Sequence, residues 1–163
     1  MLARDMIPTH ENFLIVLDLA SEAATVALGR RIAGVLERGD MVALSGGLGA
    51  GKTALARSIV RSFLPEEEVP SPTFTLVQTY ETPGFSIWHV DLYRVKDKSE
   101  LRELGLDDAL DEGALLIEWA ERMGEKLPRD RLDVMLETTD DASERVAKII
   151  ARGSWVARIE QLK

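Results

Sequence analysis

Residues 46–53 read Gly-Gly-Leu-Gly-Ala-Gly-Lys-Thr, which fits the pattern G-x-x-x-x-G-K-[ST] of a phosphate-binding loop. The chemistry asks for these residue types in this order. Glycines let the backbone turn successive N–H groups into one cavity, so Gly46, Gly49 and Gly51, with Leu48 and Ala50 between them, form a candidate cradle. A phosphate held there lies at the positive end of the helix that follows. Lys52 reaches the β and γ phosphates of a nucleotide, and the Thr53 hydroxyl is placed to coordinate Mg²⁺. The plainer reading is a glycine-rich turn with a solvated lysine. An apolar run before the loop and a helical pattern after it favour the phosphate loop.

A nucleotide–Mg²⁺ site also needs an acid at the end of a neighbouring strand. Asp91 ends the run Ile87–Asp91, and Glu118 ends Ala114–Glu118. His89 and Asp91 are two apart on a predicted strand and so share a face. Asp91 could instead pair with Arg94, and Glu118 could cap a helix; the residues alone leave both readings open. Ser71-Pro72-Thr73 falls between the loop helix and the next strand. A threonine there can close over a γ-phosphate and its cation, although the same three residues also make an ordinary turn. Trp119 directly follows Glu118, placed either to wall the site or to pack in the core.

These residues need a scaffold, and the periodicities supply one. Phe13–Leu17 reads as an edge strand. Ser21 reads as an N-cap, followed by Leu28, Ile32, Val35 and Leu36 at helical spacing, with Gly39 as the C-terminal cap. Met41–Ser45 is a short apolar run, read as a buried strand. Ala54–Leu64 places Leu55, Ile59 and Phe63 on one helical face. Pro65–Pro72 reads as an exposed loop. Phe74–Tyr80 and Phe85–Leu92 read as an antiparallel pair, because their connection is too short for a crossover. Ser99–Leu110 looks helical, Ala114–Glu118 is another strand, and Leu132–Thr138 with Arg145–Ala151 form a second hairpin. Ser154–Leu162 reads as a short terminal helix. The expected architecture is one α/β domain over residues 1–163, a phosphate-loop NTPase fold with a mixed parallel and antiparallel sheet flanked by helices.

Composition narrows the function classes. The chain has 163 residues, 45% of them apolar, a formal charge of −8 and no cysteine. Disulfides and thiolate metal sites are therefore excluded, and a reducing compartment fits. No window approaches the roughly 20 apolar residues of a membrane span, and the N-terminus lacks a basic-then-apolar signal pattern. The expectation is a cytoplasmic protein with no membrane partner. Net negative charge without a basic cluster also argues against tight, direct binding to nucleic acid.

Taken together, four segments resemble the TsaE (YjeE) family of ATPases in bacterial tRNA threonylcarbamoyladenosine synthesis. They are Gly-Leu-Gly-Ala-Gly-Lys-Thr at 47–53, Ser71-Pro72-Thr73 with the strand to Tyr80, His89-Val90-Asp91-Leu92-Tyr93-Arg94, and Ile117-Glu118-Trp119. The resemblance covers nearly the whole chain, more loosely in its last third. It implies that Lys52 and the loop bind ATP, that Thr53 and Glu118 contact Mg²⁺, and that Asp91 supports hydrolysis by orienting a water. Thr73 would belong to a mobile switch. Glu22 matches a family position near the nucleotide base, Trp119 a site-adjacent tryptophan, and Arg145 is a candidate nucleotide contact from the late hairpin. The resemblance further implies TsaD and TsaB subunits as partners, with tRNA reached only through that complex and hydrolysis slow without it. Gly47 stands where the family usually has Asp. A small-molecule kinase is the rival reading, with Arg122, Arg129 and Arg131 as candidate lid residues. A GTPase is disfavoured by the lack of an Asn-Lys-x-Asp motif.

Overall fold

The computed structural model describes residues 3–9 and 12–163, with side chains from residue 12 onward. In chain order the elements are β1 (Ala3–Thr9), β2 (Asn12–Leu19), α1 (Glu22–Val35), β3 (Met41–Ser45), α2 (Lys52–Phe63), β4 (Val77–Glu81), β5 (Ser86–Asp91), α3 (Lys98–Glu103), α4 (Leu106–Glu112) and β6 (Gly113–Glu118). A 3₁₀ segment (Ala120–Lys126), β7 (Arg131–Thr138), β8 (Arg145–Arg152) and a terminal 3₁₀ segment (Gly153–Leu162) follow.

The strands form one eight-stranded sheet in the order β1-β2-β8-β7-β3-β6-β5-β4. Its centre, β7-β3-β6-β5, is parallel, and β4, β8, β2 and β1 add on antiparallel. Every residue of β6 is buried, as are the first four of β3. Strands covered on both faces need such uninterrupted apolar runs. One face packs against α1, α2 and the terminal segment, around Leu28, Leu55, Ile59 and Trp155. The other packs against α3, α4 and the middle 3₁₀ segment, around Val90, Leu106, Ile117 and Met123. A Cβ on Gly29 would collide with the Ser58 side chain, so this glycine lets α1 and α2 approach closely.

The expected fold class and most of the expected elements are present, and the differences have physical causes. The strand containing Phe13–Leu17 is not an edge: β2 lies between β1 and β8, and β1 holds the edge. Helix α1 stops at Val35, where Leu36 turns extended, and Gly39 (φ 89°) instead serves the turn into β3. Phe74 belongs to a turn rather than a strand. Leu76 adopts φ 66° with its N–H on the Pro72 carbonyl, and β4 begins only at Val77. The helix expected over 99–110 breaks at Gly105 (φ 66°) into α3 and α4. The terminal helix is 3₁₀, a geometry that eclipses residues i and i+3. Arg158 accordingly lies 4.0 Å above the Trp155 ring.

Candidate functional site

The loop 46–51 joins the C-terminal end of β3 to the first turn of α2, at the end of the parallel sheet where such folds bind ligands. Gly46 (φ 134°) and Gly51 (φ 104°) hold left-handed backbone. A Cβ on Gly46 would strike the Leu136 carbonyl, so close passage against β7 requires glycine there. Helix α2 begins at Lys52, which places Lys52 and Thr53 in its first turn beside unsatisfied backbone N–H groups.

A cavity of about 310 Å³ opens over this turn, and Leu48–Ala54, Ser71, Thr73, Asp91, Tyr93, Glu118 and Trp119 line it. Lys52 Nζ donates to the carbonyls of Gly46 and Gly47, each at 2.7 Å, and lies 4.1 Å from the centre of the Trp119 ring. Lys52 is only 5% exposed. That burial holds its pKa below the ordinary lysine value, against the opposing pull of Glu118, Glu121 and Asp91.

The two acids come together through strand register. Asp91 and Glu118 are direct partners on the parallel pair β5–β6, so their carboxylates emerge side by side on the α2 face. Glu118 Oε1 accepts a hydrogen bond from the Thr53 hydroxyl at 2.8 Å, and its Oε2 lies 2.6 Å from His89 Nε2. Asp91 accepts from the Thr73 hydroxyl at 3.0 Å and from the Tyr93 N–H at 2.8 Å, and Thr73 lies 2.7 Å from the Ser71 hydroxyl. The alternative pairing of Asp91 with Arg94 is not made: Arg94 instead lies 4.2 Å over the Phe74 ring. Glu118 is not a helix cap but a buried acid at a strand end. Trp119, in left-handed backbone at φ 57°, walls the cavity together with Tyr93, their rings 4.9 Å apart.

The remaining predicted residues sit at other positions. Arg145 does not point into the cavity; it grips the loop from outside, donating to the carbonyls of Ala50 and Gly49 at 3.1 Å each and to those of Ala142 and Glu144. Glu22 lines a separate cavity of about 340 Å³ between α1 and α2, which meets the loop cavity only at Ala54. Arg129 and Arg131 line a cavity of about 1030 Å³ at the opposite end of the sheet, so they form no lid over the loop. That larger space gathers none of the loop residues. Sequence reasoning missed Tyr93 as a cavity wall and the His89–Glu118 contact. Tyr93 and His89 stand out only as members of the stretch 89–94, and nothing local ties His89 to Glu118, 29 residues away.

The donor set suits Mg²⁺. Among the described residues no three His, Asp or Glu side chains gather to hold a metal alone. Mg²⁺ takes hard oxygen donors, commonly one or two carboxylates plus water and phosphate, and the Thr53 hydroxyl beside Glu118 and Asp91 would provide the protein's share. Among the described residues no helix is long and apolar enough to cross a membrane.

The family described as "Threonylcarbamoyl adenosine biosynthesis protein TsaE" matches residues 19–147. A Rickettsia felis protein named tRNA threonylcarbamoyladenosine biosynthesis protein TsaE is 40% identical over 149 residues, 91% of this chain and 86% of that one. The Rickettsia bellii protein of the same name is 44% identical over 124 residues, covering 76% and 86%. The Mycobacterium tuberculosis protein of that name is 40% identical over 132 residues, covering 76% and 79%. Among solved structures, Bacillus subtilis YdiB superposes with a TM-score of 0.79 at 27% identity, covering 94% of this chain and 97% of that one.

Proposed function

The chain belongs to the TsaE family, and on that premise we propose that it binds ATP with Mg²⁺ at the loop 46–53 and hydrolyses it in the service of tRNA threonylcarbamoyladenosine synthesis. The observation that carries this reading is the bridge from Thr53 to Glu118, with Asp91 in register beside it and Lys52 in the same cavity.

Each residue has a task that follows from its surroundings. The N–H groups of 51–53, with that of Gly49, receive the phosphates at the positive end of α2, while the Ala50 N–H closes the loop turn on the Gly47 carbonyl. Lys52 exchanges its carbonyl partners for phosphate oxygens, which better stabilise a buried ammonium. The Thr53 hydrogen is committed to Glu118, so its lone pairs face the metal. Mg²⁺, when bound, would neutralise charge on the phosphate oxygens. Asp91, already fixed by Thr73 and Tyr93, orients the attacking water. Tyr93 and Trp119 screen the cavity from solvent and so strengthen its electrostatics. TsaD- and TsaB-like subunits act with this chain, and partner contact raises a slow basal turnover. The acidic surface suits protein partners, with tRNA reached through them.

Two experiments test this. With γ-labelled ATP, the label is expected on inorganic phosphate, and Lys52→Ala abolishes its release while the fold survives; label on a metabolite would instead establish a kinase. Depletion of the protein, followed by mass analysis of tRNA nucleosides, is expected to remove threonylcarbamoyladenosine. Unchanged levels would overturn the pathway assignment alone.

A further inference from the structure

His89 is fully buried on the α2 face of β5, two residues before Asp91 and diagonal to Glu118 across the β5–β6 register. Its Nε2 lies 2.6 Å from Glu118 Oε2, whereas its Nδ1 is buried and meets no hydrogen-bond partner. A buried ring nitrogen without an acceptor is best left bare, which puts the hydrogen on Nε2, where it donates to the carboxylate. Glu118 is thus held by both oxygens, one by His89 and the other by Thr53. Without His89, the carboxylate would keep a single anchor and regain side-chain rotamers.

We propose that His89 is a positioning residue for the metal–nucleotide site, fixing the Glu118 carboxylate so that Thr53 presents its lone pairs to the cation. The inference builds on the ATP–Mg²⁺ reading above. A histidine here has a structural alternative, simple filling of the space beneath β5, and the two differ in what a substitute must supply. A space-filler can be replaced by an apolar side chain. A positioning residue can be replaced only by a side chain that carries an N–H to the Nε2 position. Glutamine meets that need, because its amide nitrogen reaches about as far as Nε2. Asparagine stops near Nδ1, and leucine offers no donor.

The test measures Mn²⁺ binding to the protein–nucleotide complex by electron paramagnetic resonance, beside the Mg²⁺ dependence of ATP turnover. His89→Leu is expected to weaken Mn²⁺ about tenfold, as loss of an outer partner of a metal ligand does, with metal-free nucleotide affinity unchanged. His89→Gln is expected to stay within about threefold of wild type. If His89→Leu does not fold, His89→Asn takes its place against His89→Gln. Adding His89→Leu to Glu118→Gln should bring little further loss, because the effect passes through Glu118. Equal Mn²⁺ affinity in all His89 variants, or equal loss in the Gln and Leu variants, would overturn the inference. The site reading fails separately, if wild type binds no Mn²⁺ with ATP or if Thr53→Ala and Glu118→Gln leave Mn²⁺ affinity unchanged.

Discussion

Arg145 Nε donates to the Ala50 carbonyl at 3.1 Å, joining residues 95 apart in sequence. A second bond from the same guanidinium reaches Gly49, and two more tie it to the 142–144 turn. Holding the Ala50 carbonyl turns the following Gly51 N–H the other way, so Arg145 should help to pre-organise the loop for phosphate. Arg145→Ala is expected to weaken ATP binding about tenfold, the loss of about 1.5 kcal/mol of charge-assisted hydrogen bonding. Isothermal calorimetry would check this. Arg145→Lys should recover only part, because the guanidinium serves four carbonyls from a rigid planar fork, whereas an ammonium has three donors and no fixed fork geometry.

The burial of Lys52 should make nucleotide binding pH-dependent in a definite direction. Its folded pKa lies below the ordinary value of 10.5. Between the two values the unfolded chain binds more protons, so the Lys52 contribution favours folding increasingly as pH rises through that window. Bound triphosphate acts oppositely, because negative charge favours the ammonium. ATP affinity should therefore fall as pH rises past the lowered value, with proton uptake on binding. Calorimetry in alkaline buffers of different ionisation enthalpy would read that uptake, and Lys52→Met should abolish it.

How much of this was legible in the sequence differs from residue to residue. The loop and its acids were readable because their chemistry constrains residue type and spacing locally: Lys52 and Thr53 must follow the glycines, and Asp91 and Glu118 must end apolar strands. Their side-by-side register depends on the β5–β6 pairing, which no local pattern encodes. Arg145 was picked out, yet its task was not readable, because gripping Gly49 and Ala50 requires β8 to lie beside β7. Phe74 looked like a strand residue by type, but the positive φ of Leu76 two residues later turns the chain. Arg158 gave no signal, since its partner Asp40 lies 118 positions away.

That Arg158–Asp40 pair anchors the end of the chain. The guanidinium bonds both Asp40 oxygens, at 2.7 and 2.9 Å, and also the Val35 carbonyl at 2.7 Å. Its pKa is raised first by the hydrogen bonds to Asp40. The two side chains are only 11% and 8% exposed, so removing one strands a charge in a poorly solvated place. Asp40→Ala is expected to cost about 3 kcal/mol by urea unfolding. ATP turnover by the folded fraction should be unchanged, because the pair lies outside the loop cavity.

Gly46 and Gly47 are neighbours with opposite tolerances. Gly46→Ala must fit a Cβ against the Leu136 carbonyl in left-handed backbone at φ 134°, so it should displace the loop and remove ATP binding. Gly47 has no atom within 4 Å of an added Cβ and no positive φ. Gly47→Asp should therefore leave stability within about 0.5 kcal/mol of wild type. Gly47 lines the space beside the loop cavity with Trp119 and Glu121, and its carbonyl holds Lys52, so an added carboxylate should lower ATP affinity unless the cation offsets its charge. Titrating ATP into Gly47→Asp with and without Mg²⁺ separates these effects: weaker binding is expected without Mg²⁺ and near-parity with it. Equal losses under both conditions would show that the carboxylate reaches phosphate but not the cation.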